Sequence, residues 1–429
     1  MLRLLHTADV HLGARHTDMG ERAAQLRERQ FAAFRASVDL ALARKVDLFL
    51  IAGDLFDSNT QPRRSVERVA AELGRLALGG VRAVIIPGTH DVYDGASIYR
   101  AHDLARLASA ADGWITVLTP QRPEILFPSL DAVVYGRVFE TKHAPASPLA
   151  GLDARSETRA TWRIGMVHGA LAIPGRTDAD AVVFEPDEIG SSGLDYLALG
   201  HWHNAMEGRA GEVTWAYSGA PEPVALDQDG AGFVLVVTLD LRDGRRVVGI
   251  ERERVGRTRM QTLDLDASGL RTQPELVERL KGSADPDLVL DVRLTGFRPD
   301  DLDLDPDEVA RELESSFLRF RLRDDSIPAL PAGPEAPADT VLGAFTRNVE
   351  ARMAELELIA RGGAPSATAG SDAGTPDIGE PGGGAPADGP GRAGRVTSAP
   401  ALEPSEELAD LREALRLGRH LLEGREVTL

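Results

Sequence analysis

Short apolar runs alternate with segments of helical period over roughly the first 255 residues. Runs at 2–5, 48–51, 83–86, 132–135, 164–167, 196–199 and 233–239, mostly bounded by Gly, Pro or Asp, predict strands. Between the first two, Leu26, Phe31, Phe34, Val38 and Leu42 recur at helical spacing, predicting a long helix over 21–45. Pro62 stands where a helix tolerates proline at its start. Strands this apolar are buried on both faces, so the alternation predicts an α/β core with helices covering sheets.

From about 256 the character changes. Runs at 260–265, 288–294 and 317–322 predict strands, and 274–281 and 306–317 predict helices that open with proline. This β-α-β-α-β unit defines a small second domain, 256–326, after a first domain, 1–255. Residues 327–361 read as a Pro/Ala-rich linker and a helix with Phe345, Val349, Met353 and Leu356 on one stripe. Residues 362–403 are dominated by Gly, Ala, Pro, Ser and Asp, too little apolar surface to offset ordering entropy, and predict a disordered tether. Residues 404–429 predict a last helix, capped by Ser405 and lined with leucines. An apolar helix beyond a tether either docks back or meets a partner.

Composition narrows the function classes. Against 48 Lys and Arg stand 67 Asp and Glu, a net charge of −19 over 429 residues. That disfavours a protein holding nucleic acid mainly through a basic surface, though not one meeting it through a metal centre or a partner chain. The absence of cysteine excludes disulfides, thiolate zinc sites and cysteine nucleophiles. The start MLRLLHTADVHLG has no signal-peptide pattern and no window approaches a membrane span, so a cytoplasmic protein without membrane contact is expected.

Five polar clusters each follow an apolar strand: Asp9-Val10-His11, Gly53-Asp54-Leu55-Phe56-Asp57, Gly88-Thr89-His90-Asp91, His168-Gly169 and Gly200-His201-Trp202-His203. Ligands of open α/β sheets bind beyond the carboxyl ends of the strands, where these clusters fall. Imidazole and carboxylate without thiolate suit Mn²⁺, Fe²⁺ or Zn²⁺. In the Asp9/His11 and His201/His203 pairs, a spacing of two points both side chains one way if the segment is strand-like. Each cluster alone has a bland reading, His168 as a satisfied core histidine or His90 and Asp91 as a helix-start pair. All five in order, each at a strand end, point to a metal site.

The series D-x-H, GDxxD, G-x-HD, H-G and GHxH resembles the calcineurin-like metallophosphoesterase superfamily. The stretches HTADVHLG, DLFLIAGDLFDSN and YLALGHWH, with Tyr217-Ser218-Gly219-Ala220-Pro221 and the small domain that follows, resemble its DNA-repair exonuclease branch of SbcD-like nuclease subunits. The resemblance implies a four-layer α-β-β-α sandwich with a small α+β capping domain and C-terminal helices. It implies that Asp9, His11, Asp54 and His203 hold one divalent cation. Asp54, His168 and His201 would hold a second, with Asp54 bridging. Mn²⁺ leads as the metal, with Fe²⁺, Mg²⁺ and Zn²⁺ as alternatives. His90 would act at the scissile phosphate, Asp91 would orient His90, and Asp57 would fix ligand rotamers. A water activated by the two ions would attack phosphorus in line. The branch further implies DNA ends as substrate, an SbcC-like SMC ATPase docking on the C-terminal helices, and a homodimer.

One position departs from the pattern: Thr89 stands where the family places an Asn that gives its carbonyl oxygen to the second metal. Three functions share these residues: a nuclease on DNA ends, a stand-alone phosphoesterase for nucleotides or other small molecules, and a non-catalytic assembly subunit marked by Thr89. The other family positions are intact, which favours a working site.

Overall fold

A computed structural model describes residues 1–144, 146–173, 177, 182–299, 302–328, 336–337, 339–360 and 404–422. The tether expected at 362–403 lies outside the described residues. Strands β1 (Leu2–Thr7), β2 (Leu48–Ala52), β3 (Arg82–Ile86) and β4 (Ile115–Val117) follow one another in parallel, with helices α1 (Ala23–Arg44) and α2 (Arg63–Leu78) in the first two connections. Strands β5 (Glu124–Phe127), β6 (Ala132–Arg137) and β7 (Trp162–His168) start a second sheet. Helix α3 (Pro186–Ser191) then precedes β8 (Tyr196–Gly200), β9 (Met206–Ala210) and β10 (Val213–Tyr217). The hairpin β11 (Phe233–Arg242) and β12 (Arg245–Arg254) returns to the first sheet. The first sheet has the order β12-β11-β1-β2-β3-β4 and the second β9-β10-β8-β7-β6-β5.

Alternation within each strand assigns the layers. Leu4, Leu48, Leu50, Val84 and Ile86 of the first sheet pack against Val134, Ile164, Met166, Tyr196 and Ala198 of the second. The opposite face of the first sheet, with Leu5, Phe49, Ile51 and Ile85, is covered by Phe34 and Val38 of α1 and Val66, Val69 and Leu73 of α2. The outer face of the second, with Tyr135, Leu197 and Leu199, is covered by Leu149, Leu152 and Ile189. The result is an α-β-β-α sandwich. Each fully buried Leu or Ile contributes roughly 1.5–3 kcal/mol, which is why strands apolar on both faces occupy the middle layers. Within the sheet interface His6 is buried beside Tyr196, Nδ1 to OH 2.9 Å, and burial pulls its pKa down to about 3. It is a neutral structural hydrogen-bonder.

Downstream, β13 (Arg259–Asp266), β14 (Asp285–Thr295) and β15 (Phe317–Asp324) form a three-stranded sheet, accompanied by α4 (Gln273–Lys281) and α5 (Pro306–Leu313). Internal contacts divide the chain into two compact units. The first comprises Met1–Leu265, Leu276–Arg293 and Asp305–Arg323, and the second Asp266–Glu275, Leu294–Leu304 and Asp324–Leu429. Within the second, α6 (Val341–Ala360) pairs with α7 (Pro404–Leu422). Arg352 bonds Glu407 at 2.8 Å while Phe345 packs on Gly418, so the helices run antiparallel. No described helix is long and apolar enough to cross a membrane.

Candidate metal centre

In both sheets the parallel strands end on the same side, and the two sets of ends meet there. Gly200 lies so close to β2 that a Cβ on it would fall 2.1 Å from the Ala52 carbonyl oxygen. The loops after β1 and β2 run together: Asp9 N–H donates to Gly53 O at 3.1 Å and His11 N–H to Asp54 O at 3.0 Å. The Asp9 carboxylate reaches the other sheet, accepting the His201 N–H at 3.0 and 3.1 Å from its two oxygens.

The donor atoms converge. Asp9, His11 and His203 form one group and Asp9, Asp54 and His168 another, each with donor atoms within 4.8 Å of one another. His11 Nε2 stands 3.3 Å from His203 Nε2 and 3.8 Å from Asp54 Oδ2. The same Asp54 oxygen is 3.1 Å from His168 Nε2, so this carboxylate faces both groups. The His201 ring sits edge-on to that of His168, centroids 5.5 Å apart. Thr89 Oγ1 is 3.5 Å from Asp54 Oδ2. The five polar clusters of the sequence are thus gathered at one sheet edge.

The donor set fits divalent cations. Asp9 and Asp54 are buried within a few ångströms of each other, a costly arrangement without cationic partners. His168 directs Nδ1 at the Ala52 carbonyl at 3.0 Å, while its Nε2 is buried with no aligned hydrogen bond. That arrangement fixes the tautomer and leaves the Nε2 lone pair turned to the carboxylates, as a ligating imidazole requires. Asp57 Oδ1 stands 3.3 Å from His11 Nδ1 and orients that ring in the same way.

Without an ion the charges balance through protons. Burial pulls the His168 pKa down, but Asp54 and Asp9 outweigh it and raise the value to about 10. His11 is likewise raised: burial opposes, while Asp57, Asp54 and Asp9 prevail. Asp54, despite burial, is held far below the usual carboxylate range by His168, His11 and His90. His203 is lowered, chiefly by burial.

Two expectations need correction. Asp91 does not orient the His90 ring. Its buried carboxylate accepts Gly88 N–H at 2.7 Å, Phe56 N–H at 3.1 Å and Tyr99 O–H at 2.5 Å, and so ties the 53–57 loop to the 88–91 loop. The half-exposed ring of His90 instead turns Nδ1 to the Asp57 carbonyl at 3.1 Å, and the His90 backbone N–H donates to Asp54 Oδ1 at 2.7 Å. A short carboxylate facing two backbone donors and a hydroxyl is already satisfied. Nor do Asp9 and His11 point one way through strand alternation. Strand β1 ends at Thr7, and both residues take left-handed backbone at φ 53° and 49°. Asp54 at 50° and His201 at 107° share that strained region, whose clustering marks functional sites.

Sequence reasoning missed Tyr99, which has no motif around it. Trp202 stacks on Tyr217 at 4.8 Å and serves packing, and the Tyr217 hydroxyl donates to the Gly169 carbonyl and accepts from Leu171 N–H.

A four-layer sandwich with carboxylates and imidazoles converging at its strand ends defines a metal-binding phosphoesterase architecture. Residues 2–205 match the family model of the calcineurin-like phosphoesterases, and this part of the chain is a calcineurin-like phosphoesterase domain. The chain is 26% identical to the metallophosphoesterase YhaO of Bacillus subtilis over 253 residues, 55% of this chain and 57% of that one. It is 29% identical over 237 residues to the DNA double-strand break repair protein Mre11 of Aeropyrum pernix, 53% and 55% of the two chains. Against the SbcD component of the nuclease SbcCD of Rhodobacter capsulatus it is 28% identical over 330 residues, 67% and 77% of the two. The chain thus spans little more than half the length of the first two relatives.

Proposed function

We propose that this chain is a metal-dependent phosphodiesterase acting on DNA ends, the SbcD-like nuclease component of a cytoplasmic DNA-repair complex. The observation that carries the reading is the convergence of Asp9, His11, Asp54, His168 and His203 donor atoms around buried carboxylates. The similarity to Mre11 and to the SbcD component of SbcCD supports nucleic acid as the substrate. Asp9, His11, Asp54 and His203 would hold one cation, and Asp54, His168, His201 and Thr89 the second, with Mn²⁺ the leading metal and Fe²⁺, Mg²⁺ and Zn²⁺ the alternatives. Bound there, the cations supply the charge that acidifies water and neutralises phosphoryl oxygens.

The chain's own groups do the rest. Asp57 and the Ala52 carbonyl hold the rings of His11 and His168 in the orientation their Nε2 atoms need. His90, fixed by the Asp57 carbonyl, leaves Nε2 free to face the substrate, where it steadies the phosphate or gives its proton to the leaving oxygen. Asp91 and Tyr99 hold the loop that carries Thr89 and His90. The α6–α7 pair offers a docking element to an SMC-like ATPase, which would supply most of the DNA affinity that an acidic chain lacks.

Substrate profiling with Mn²⁺ tests the proposal. Release of nucleotides from linear duplex DNA is expected. Turnover confined to bis(p-nitrophenyl)phosphate and small nucleotides would instead assign a small-molecule phosphoesterase, and no turnover with the partner present would assign an assembly subunit.

A further inference from the structure

In the second sheet β6, β7 and β8 are parallel neighbours, with Arg137 level with Val167 and His168 level with Gly200. Three adjacent strand ends therefore bring Arg137, His168 and His201 to one edge. Arg137 shares the lining of a recess of about 10 Å³ with Gly88, Thr89, Lys142 and His168. Such a volume holds one water-sized group, an oxygen atom rather than a sugar or a base. The Arg137 side chain is half-buried, and its Nε is enclosed without a hydrogen-bond partner among the described residues. Among the described residues no carboxylate pairs with it. Two other buried or half-buried arginines do meet carboxylates: Arg163 pairs with Asp195 and Arg29 with Asp287. A guanidinium held part-way out of water with an unused donor is a poised anion site, since desolvation is offset only when an acceptor arrives.

We propose that Arg137, with Lys142 beside it, binds a non-bridging oxygen of the scissile phosphate from the Thr89 side of the centre. The inference rests on the phosphodiesterase reading and names a contact that reading does not contain. It also gives a physical account of Thr89. A short hydroxyl in place of a carboxamide opens room at this wall, and a fixed cation there supplies charge that a neutral ligand would not.

The test uses the full chain loaded with Mn²⁺, with Arg137→Ala, Arg137→Gln and Arg137→Lys. Inorganic phosphate is the probe, read as inhibition of bis(p-nitrophenyl)phosphate hydrolysis and as direct binding by calorimetry. Loss of a charge-assisted hydrogen bond should raise both the phosphate Ki and the KM by about 10-fold or more in the Ala and Gln variants. Lysine should restore part of the loss, and metal content and thermal midpoint should stay at the wild-type values. Ala and Gln variants within about two-fold of wild type in both constants would overturn the proposal. So would a loss of bound metal in parallel with affinity, which would make Arg137 a structural residue. Should the Ala variant fail to fold, the Gln variant, which keeps the volume and removes the charge, decides. Phosphate binding that depends on Arg137 in a protein that cleaves no ester would uphold the anion site and overturn the phosphodiesterase reading.

Discussion

His90→Ala should lower phosphodiester hydrolysis by roughly 10²–10⁴-fold, the range for one proton-transferring group. The metal content, read by plasma mass spectrometry, should be unchanged, because the ring turns Nδ1 to the Asp57 carbonyl and only packs edge-on against His11, while the contact to Asp54 comes from the backbone N–H. Loss of both ions would make His90 a ligand instead. Gly53→Ala should abolish metal binding. Gly53 has φ 94°, and a Cβ there would sit 2.2 Å from His168 Nδ1, displacing the ring from the Ala52 carbonyl. Retained metal content in this variant would show that the loop has an alternative path. Proton release gives a third test. In the metal-free protein Asp54 and Asp9, against the burial that opposes them, raise the His168 pKa to about 10, and Asp57, Asp54 and Asp9 likewise raise that of His11. Each ion must expel the protons on these rings, so affinity should rise with pH between about 6 and 8, and calorimetry in buffers of different ionisation enthalpy should report protons leaving. Affinity flat across that range would contradict the charge balance. At this scale residue type and order were legible: Asp9, His11, Asp54, His168, His201 and His203 are all at the centre. Hydrogen-bond direction was not. Whether Asp91 serves a ring or three backbone and hydroxyl donors depends on loop geometry that no spacing encodes.

Strands that are apolar on both faces could be read from the chain, because burial on two sides leaves no polar alternation. The β12 strand could not. Its sequence RRVVGIERER has few apolar residues, since it lies at the sheet edge with most side chains in water, and its pairing is decided by β11. Short β4 and β9 carry equally little signal. For the last helix the sequence left docking back and meeting a partner both open, because the contacts Arg352–Glu407 and Phe345–Gly418 that pair α6 with α7 span more than fifty residues of sequence. That pairing sharpens a prediction about the last helix. Removing residues 404–429 should leave phosphodiesterase activity intact and weaken binding to the ATPase partner in pull-down or calorimetry. Activity lost together with solubility would show that α7 is part of the catalytic body's core.

For the whole molecule, a net charge of −19 and buried carboxylates at the strand ends lead us to expect that bound cations stabilise the folded state. Mn²⁺ at about 100 times its dissociation constant should stabilise the fold by roughly 2.7 kcal/mol if it binds only the native chain. A thermal midpoint that does not move on adding Mn²⁺ or a chelator would contradict this. The α/β core follows from the strand and helix pattern and the four-layer sandwich from the family resemblance, but the meeting of its two sets of strand ends depends on close approaches such as that of Gly200 to Ala52. The most direct measurement is an anomalous-difference map from crystals soaked in Mn²⁺. The account predicts two peaks about 3.5–4 Å apart, one among Asp9, His11 and His203, the other beside His168 and His201, with Asp54 between them. A single peak, or peaks away from these side chains, would contradict it.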